Sequence, residues 1–201
     1  MRFNIYLIII VELLIVGCAR PYKNININSI PFKDYTQENK ISYSIRRGVM
    51  FNTRNYFFAK REIKNNVSLV AFKIANNTSL PIMTNDLRFS CGATSSLVPI
   101  GTQEFCNLLK QKAGLYWLYA AGVVVYPKPP IGSKKFIPLP FGLPVAAVNF
   151  GIATKANKKL SSNLKLLDLN NRIIQPGDTL QGVLPFRGVN DCPEIFVTVK
   201  E

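Results

Sequence analysis

The 201-residue sequence contains no histidine. That removes the side chain most often used as a general base and as a zinc ligand. Acid is scarce as well: 11 Asp and Glu stand against 25 Lys and Arg, a formal net charge of +14. Asp178 and Asp191 sit among turn residues, which turn chemistry accounts for. Glu62, inside Lys60-Arg61-Glu62, reads as a solvated surface charge. There is no Gly-x-Ser-x-Gly elbow, no phosphate-binding glycine loop and no dinucleotide fingerprint. The four cysteines include no Cys-x-x-Cys pair, and four are too few for a cysteine-only scaffold. These absences point to a non-catalytic protein with no cofactor and no metal. The chain is 48% hydrophobic and 18% charged, which excludes a disordered tail. Its length fits one ordinary domain plus a targeting segment or an insertion.

The first eighteen residues, MRFNIYLIIIVELLIVGC, carry a positive charge at Arg2 and an apolar run from Ile5 to Val16 broken by Glu12. The run is too short for the ~20 residues of a spanning helix and has the length of a secretory signal. Ile15-Val16-Gly17-Cys18 resembles the lipobox of bacterial lipoproteins, in which a small residue precedes the cysteine. The resemblance implies that residues 1–17 are removed and that Cys18 becomes the acylated first residue. It also implies that Ala19, where an inner-membrane protein often has Asp, favours the outer membrane. Losing Arg2 and Glu12 leaves the net charge unchanged. Two or more acyl chains anchor stably where one binds marginally. Residues 18–40 are polar and Asn-rich, and are expected to form a lipidated tether or an irregular lead-in strand.

From Ile41 the apolar residues alternate, as in Ile41, Tyr43 and Ile45. Strand signals follow at Val67–Ile74, Leu80–Cys91, Leu164–Leu169, Ile173-Ile174, Thr179–Phe186 and Ile195–Val199. Asn76-Asn77-Thr78-Ser79, Asn170-Asn171 and Gln175-Pro176-Gly177-Asp178 supply turns between them. The strand, Asn-Asn-Thr-Ser, strand pattern of Val67–Phe89 and the stretch Ile174–Phe186 resemble those of small bacterial lipoprotein sandwiches. That resemblance implies a module that binds a partner or ligand and performs no chemistry. The fold expected is mainly β: an immunoglobulin-like antiparallel β-sandwich split between residues 41–100 and 163–201. Tyr56, Phe57 and Phe58 are candidates for a ligand- or polysaccharide-binding sandwich face.

Residues 101–162 break the strand pattern and are expected to form an inserted apolar, Lys-flanked α-helical hairpin. Thr102 is a candidate helix cap with Glu104 in the first turn, and Phe105, Leu108 and Leu109 share one face. Two uncharged runs follow, Ala113–Tyr126 and Phe136–Thr154, separated by prolines. Between Glu104 and Asp168 there is no acid at all, against Lys110, Lys112, Lys128, Lys134, Lys135, Lys155, Lys158, Lys159 and Lys165. The lysines bracket the apolar runs. Tyr116, Trp117, Tyr119 and Tyr126 lie in or at the end of the first run. Lysines at the edge and aromatics beside an apolar interior are what a membrane interface selects. Each lysine near an anionic surface contributes ~1 kcal/mol. The same composition suits a groove in a partner protein or packing within the domain. The prolines and the short first run favour a hairpin dipping into one leaflet over two spans.

With Cys18 assigned to lipid, Cys91, Cys106 and Cys192 remain. Cys91 with Cys106 is the expected disulfide, and Cys192 is the alternative partner for either. The functional expectation is a membrane-anchored envelope lipoprotein that tethers or docks through its basic apolar hairpin, with anionic headgroups as partner and no nucleic acid. An accessory subunit of a secretion, transport or surface assembly complex is the rival expectation.

Overall fold

The computed structural model describes residues 18–32, 36–38, 40–92, 95–122 and 142–200. The chain divides into two units. The smaller comprises Gln111–Lys158 with the chain up to Pro21; the larger comprises Tyr22–Lys110 and Lys159–Glu201.

The larger unit is mainly β, and its sheets are antiparallel. Strands β1 (Thr36–Glu38), β2 (Ile41–Arg46), β3 (Val67–Asn76) and β8 (Thr179–Arg187) form one sheet in the order β1-β2-β3-β8. Strand β5 (Leu87–Cys91) lies between β6 (Ser95–Leu97) and β9 (Ile195–Val199) in a second sheet. Strands β4 (Ile82–Met83) and β7 (Ile173–Ile174) pair separately. The turn before β8 works as its residues require: Gly177 has φ of 76°, and Asp178 N–H reaches the Gln175 carbonyl at 3.0 Å.

Alternation along β3 explains the core. Val70, Phe72 and Ile74 point into a cluster with Leu184 and Phe186 of β8, Leu87 and Phe89 of β5, and Ile195 and Val197 of β9. Phe72, Phe89 and Phe186 meet at ring separations of 5.2–5.9 Å, mostly edge to face. Such pairs add ~0.5–1.5 kcal/mol each beyond burial. The other face of β3, with Val67, Leu69 and Ala71, is equally buried. There β3 is contacted by two helices that the alternation did not announce, α1 (Val49–Asn52) and α2 (Tyr56–Lys64). Helix α2 turns Phe58, Ala59 and Glu62 inward.

Helix α3 (Thr102–Leu109) buries Phe105 and Leu109, as its spacing predicts, while Leu108 is half-buried. Thr102 is not its cap. Gly101 occupies that position, and the Thr102 hydroxyl donates to Asp168 Oδ2 at 2.5 Å. In the smaller unit a 3-10 segment, Ala113–Trp117, leads into α4 (Leu118–Gly122). Helix α5 (Gly142–Leu167) runs in the smaller unit up to Lys158 and in the larger from Lys159 onward. It corrects the strand expected at Leu164–Leu169. Leu164 is fully buried and Leu166 is 76% exposed, whereas residues two apart in a strand would share a face. With no breaker between Lys155 and Leu167, the helix simply continues. It ends where Gly182 of β8 comes close: a Cβ on Gly182 would lie 2.5 Å from the Leu167 carbonyl oxygen.

Candidate functional site

The polar lead-in after Cys18 is not a tether. Cys18 is half-buried, and Tyr22, Ile25 and Ile30 are buried. A polar, extended segment is held here because side-chain amides satisfy its main chain. In the smaller unit, Ala19 N–H donates to Asn149 Oδ1 at 2.7 Å. Gln111 grips Arg20 at both ends: Arg20 N–H reaches Oε1 at 3.0 Å, and Nε2 reaches the Arg20 carbonyl at 2.6 Å. Asn157 grips the Gln111 main chain in the same two-pronged way, at 2.8 Å each.

The larger unit repeats the device. Asn55, just before α2, accepts from Lys23 N–H and donates to the Lys23 carbonyl, both at 2.8 Å. Asn163 of α5 accepts from Ile25 N–H at 2.7 Å and donates to its carbonyl at 3.4 Å. Asn163 also accepts from the Tyr22 hydroxyl at 2.8 Å. The Tyr22 ring meets Phe58 edge-on at 5.4 Å, and its burial pushes the phenol pKa up. A primary amide offers one acceptor and two donors, so a single Asn or Gln can replace the two bonds a neighbouring strand would make.

Beside the first of these grips the smaller unit exposes apolar surface. Asn149 is buried, but its neighbours Val148 and Phe150 are exposed, as are Leu115, Trp117, Leu118 and Leu143. Trp117 and Phe150 lie 5.7 Å apart, and Tyr116 stacks on Tyr119 at 6.2 Å. Of the residues singled out for membrane or partner contact, Trp117 is exposed and Tyr116 and Tyr119 are half-buried. Lys112, Lys155 and Lys158 are exposed in this unit; Lys110 and Lys159, also exposed, belong to the larger one. Tyr126, Lys128, Lys134 and Lys135 lie outside the described residues. The sequence of residues 111–158 contains six lysines and no acid. Among the described residues no helix is long and apolar enough to cross a membrane.

The disulfide joins Cys91 to Cys192, with Cα atoms 5.5 Å apart. Cys106, the partner first expected, is instead a buried thiol on α3, its pKa pushed up to about 11 chiefly by burial. The pairing follows the sheet: β5 and β9 are neighbours, with Cys91 opposite Ile195. The turn carrying Cys192 is fastened by Arg47, whose guanidinium donates to the carbonyls of Val189 at 2.9 Å and of Cys192.

Glu62 is not a solvated charge. It is 5% exposed, and its Oε1 accepts Leu69 N–H at 2.7 Å. Strand β3 outruns β2, which ends at Arg46 opposite Ala71, and the carboxyl takes an amide just beyond that end. Burial raises its pKa from 4.5 to about 8, against a smaller lowering by the Leu69 amide. Tyr56, Phe57 and Phe58 do not line a sheet face. They lie on α2, with Phe58 fully buried and Tyr56 exposed. Among the described residues, no group of three or more Cys, Asp or Glu is placed to hold a metal ion.

Comparison with protein families, with curated proteins and with solved structures finds no match for this chain.

Proposed function

We propose that this protein is a membrane-anchored envelope lipoprotein, acylated at Cys18, that docks the smaller unit on an anionic lipid surface and has no catalytic role. One observation carries the reading. The residue after Cys18 is hydrogen-bonded to Asn149, and Asn149 lies between exposed Val148 and Phe150. An acyl chain on Cys18 therefore starts one residue from an apolar surface that has no charge of the wrong sign in its sequence. The two attachments reinforce each other: once the anchor is in place, every later contact is intramolecular. Fully burying a side chain the size of Leu or Phe contributes ~1.5–3 kcal/mol, and each nearby lysine ~1 kcal/mol against anionic headgroups. Ala19 favours the outer membrane. Two sheets sharing one core support the sandwich reading of the larger unit, with the immunoglobulin-like comparison resting on strand number and spacing.

The test is mass spectrometry of the N-terminus of the protein taken from its native membrane. The expected species begins at Cys18 and bears fatty acyl groups. An intact Met1, or a processed end without fatty acid, overturns the reading. A fixed protein partner retained through detergent purification, and lost on Trp117→Ser, would instead assign the apolar face to an assembly complex.

A further inference from the structure

The smaller unit is not the only part of the chain with an exposed apolar and basic surface. Phe51 of α1 is 63% exposed and Ile63 of α2 is 72% exposed, although the residue before each, Met50 and Glu62, is buried. Phe51 packs edge-on against Tyr56 at 5.2 Å, so two of these groups form one patch. Along α2 the outward residues are Tyr56, Lys60, Ile63 and Lys64, while Phe58, Ala59 and Glu62 face inward. Tyr56, Lys60 and Ile63 follow the three-and-four spacing of a single helix face. From Glu38 to Asp86 the sequence has one acid between them, Glu62, and its carboxyl is buried on the Leu69 amide. The exposed charges here, Arg54, Lys60 and Lys64, are all positive. Aromatic and aliphatic side chains interleaved with long basic ones suit the headgroup region: the rings and methyls sink, and the lysine stems reach back to the phosphates.

The lead segment says which surface this patch meets. Asn55, the residue before Tyr56, holds the Lys23 main chain by two hydrogen bonds. Lys23 is five residues from Cys18, and five residues of extended chain span at most roughly 18 Å. A free tether running to β1 would have allowed several times that reach. We infer that the α1–α2 face carrying Phe51, Tyr56 and Ile63 is a second membrane-contact surface, for anionic lipid, held at the bilayer by the Asn55 grip on the lead segment. The inference rests on acylation at Cys18. A bilayer is the occupant that the chain end itself brings within reach, and a surface of one charge sign complements it.

Depth-sensitive quenching tests this in the full mature chain. In a Trp117→Phe background, Tyr56→Trp reports on the patch, and Ile173→Trp, at a position of similar exposure, serves as control. Each is prepared acylated and as the Cys18→Ser chain, then mixed with phosphatidylglycerol vesicles containing brominated acyl chains. Urea midpoints matched to the parent show that the variants fold. The expected result is quenching of Tyr56→Trp at least twofold greater than of Ile173→Trp in the acylated chain, falling to the control level when Asn55→Ala and Asn163→Ala together release Lys23, Tyr22 and Ile25. Equal quenching at the two positions overturns the inference, as does quenching that the double replacement leaves unchanged. The mass of the native N-terminus decides acylation separately. A chain found without fatty acid ends the anchored reading, and with it the reach argument, whatever the quenching shows.

Discussion

Replacing Glu62 by Gln separates the cost of burying a carboxylate from the benefit of its hydrogen bond. In the folded chain the carboxyl titrates near 8; unfolded, it returns to about 4.5. The folded state therefore holds this proton more tightly than the unfolded state. Below about pH 4.5 the carboxyl is neutral in both states, and its contribution to stability is fully present. As pH rises towards 8, the unfolded chain ionises first and stability is lost. Linkage at 1.36 kcal/mol per pH unit makes the loss between pH 5 and pH 8.5 about 4 kcal/mol. The substituted amide keeps an oxygen for the Leu69 N–H but does not titrate. Its buried NH2 group costs roughly 1–3 kcal/mol at every pH. Glu62→Gln is thus expected to be the less stable protein at pH 5 and the more stable at pH 8.5. Urea denaturation of both proteins at the two pH values measures this, because all other titrating groups cancel in the comparison. A stability difference that changes by less than ~1 kcal/mol between the two pH values would refute the burial argument.

Other perturbations address other parts of the molecule. Deleting residues 113–154 removes most of the smaller unit and is expected to leave the larger folded, with amide-exchange protection of β3 and β8 retained; loss of that protection would show that the units fold only together. Joint replacement of Cys91 and Cys192 by Ser opens a loop of 101 residues, expected to cost ~4–5 kcal/mol in the chain-entropy model and read as a fall in the urea midpoint. Gly182→Ala places a methyl 2.5 Å from the Leu167 carbonyl and should destabilise by at least ~1–3 kcal/mol, as overpacking does. Asn163→Ala leaves the Tyr22 hydroxyl and the Ile25 amide without their acceptor; cleavage by a protease between residues 19 and 32 should accelerate roughly fivefold or more, matching ~1–3 kcal/mol of lost satisfaction.

Strands β2, β3, β7, β8 and β9 of the larger unit were legible because their turns are marked by Asn-Asn, Pro-Gly and Gly residues and their apolar residues alternate; β1 and β6, three residues each, give no such signal, and a 3-10 turn at Thr84–Asp86 divides the segment read over Leu80–Cys91 into β4 and β5. The strand pattern misleads where a different period takes over without punctuation. Phe58, Ala59 and Glu62 mark the inner face of α2 at helical spacing, but an acid among them reads as solvent-facing. Leu164 to Leu169 alternates like a strand over six residues, yet its first four residues extend a helix whose buried positions, Ala153, Ala156, Leu160 and Leu164, were visible over a longer window. Helix α3 was legible from Phe105 and Leu109. The disulfide was not. A spacing of 15 residues favours Cys106 on closure entropy, but adjacency of β5 and β9 in the sheet decides for Cys192. Least legible was the lead segment. Its anchorage depends on Asn55, Gln111, Asn149 and Asn163, which are scattered through the sequence and mark no periodic pattern.

Because those amides hold peptide groups, with the Tyr22 hydroxyl the one side chain named among their partners, the lead segment obeys an unusual substitution rule. The side chains of Arg20 and Lys23 project into solvent, and either can be exchanged for an acid, an alcohol or an alanine without loosening a single grip. Proline is the exception at positions 19, 20, 23 and 25, since it brings no N–H to donate. The surface charge beside Cys18 can therefore be retuned freely, while the path of the chain stays fixed.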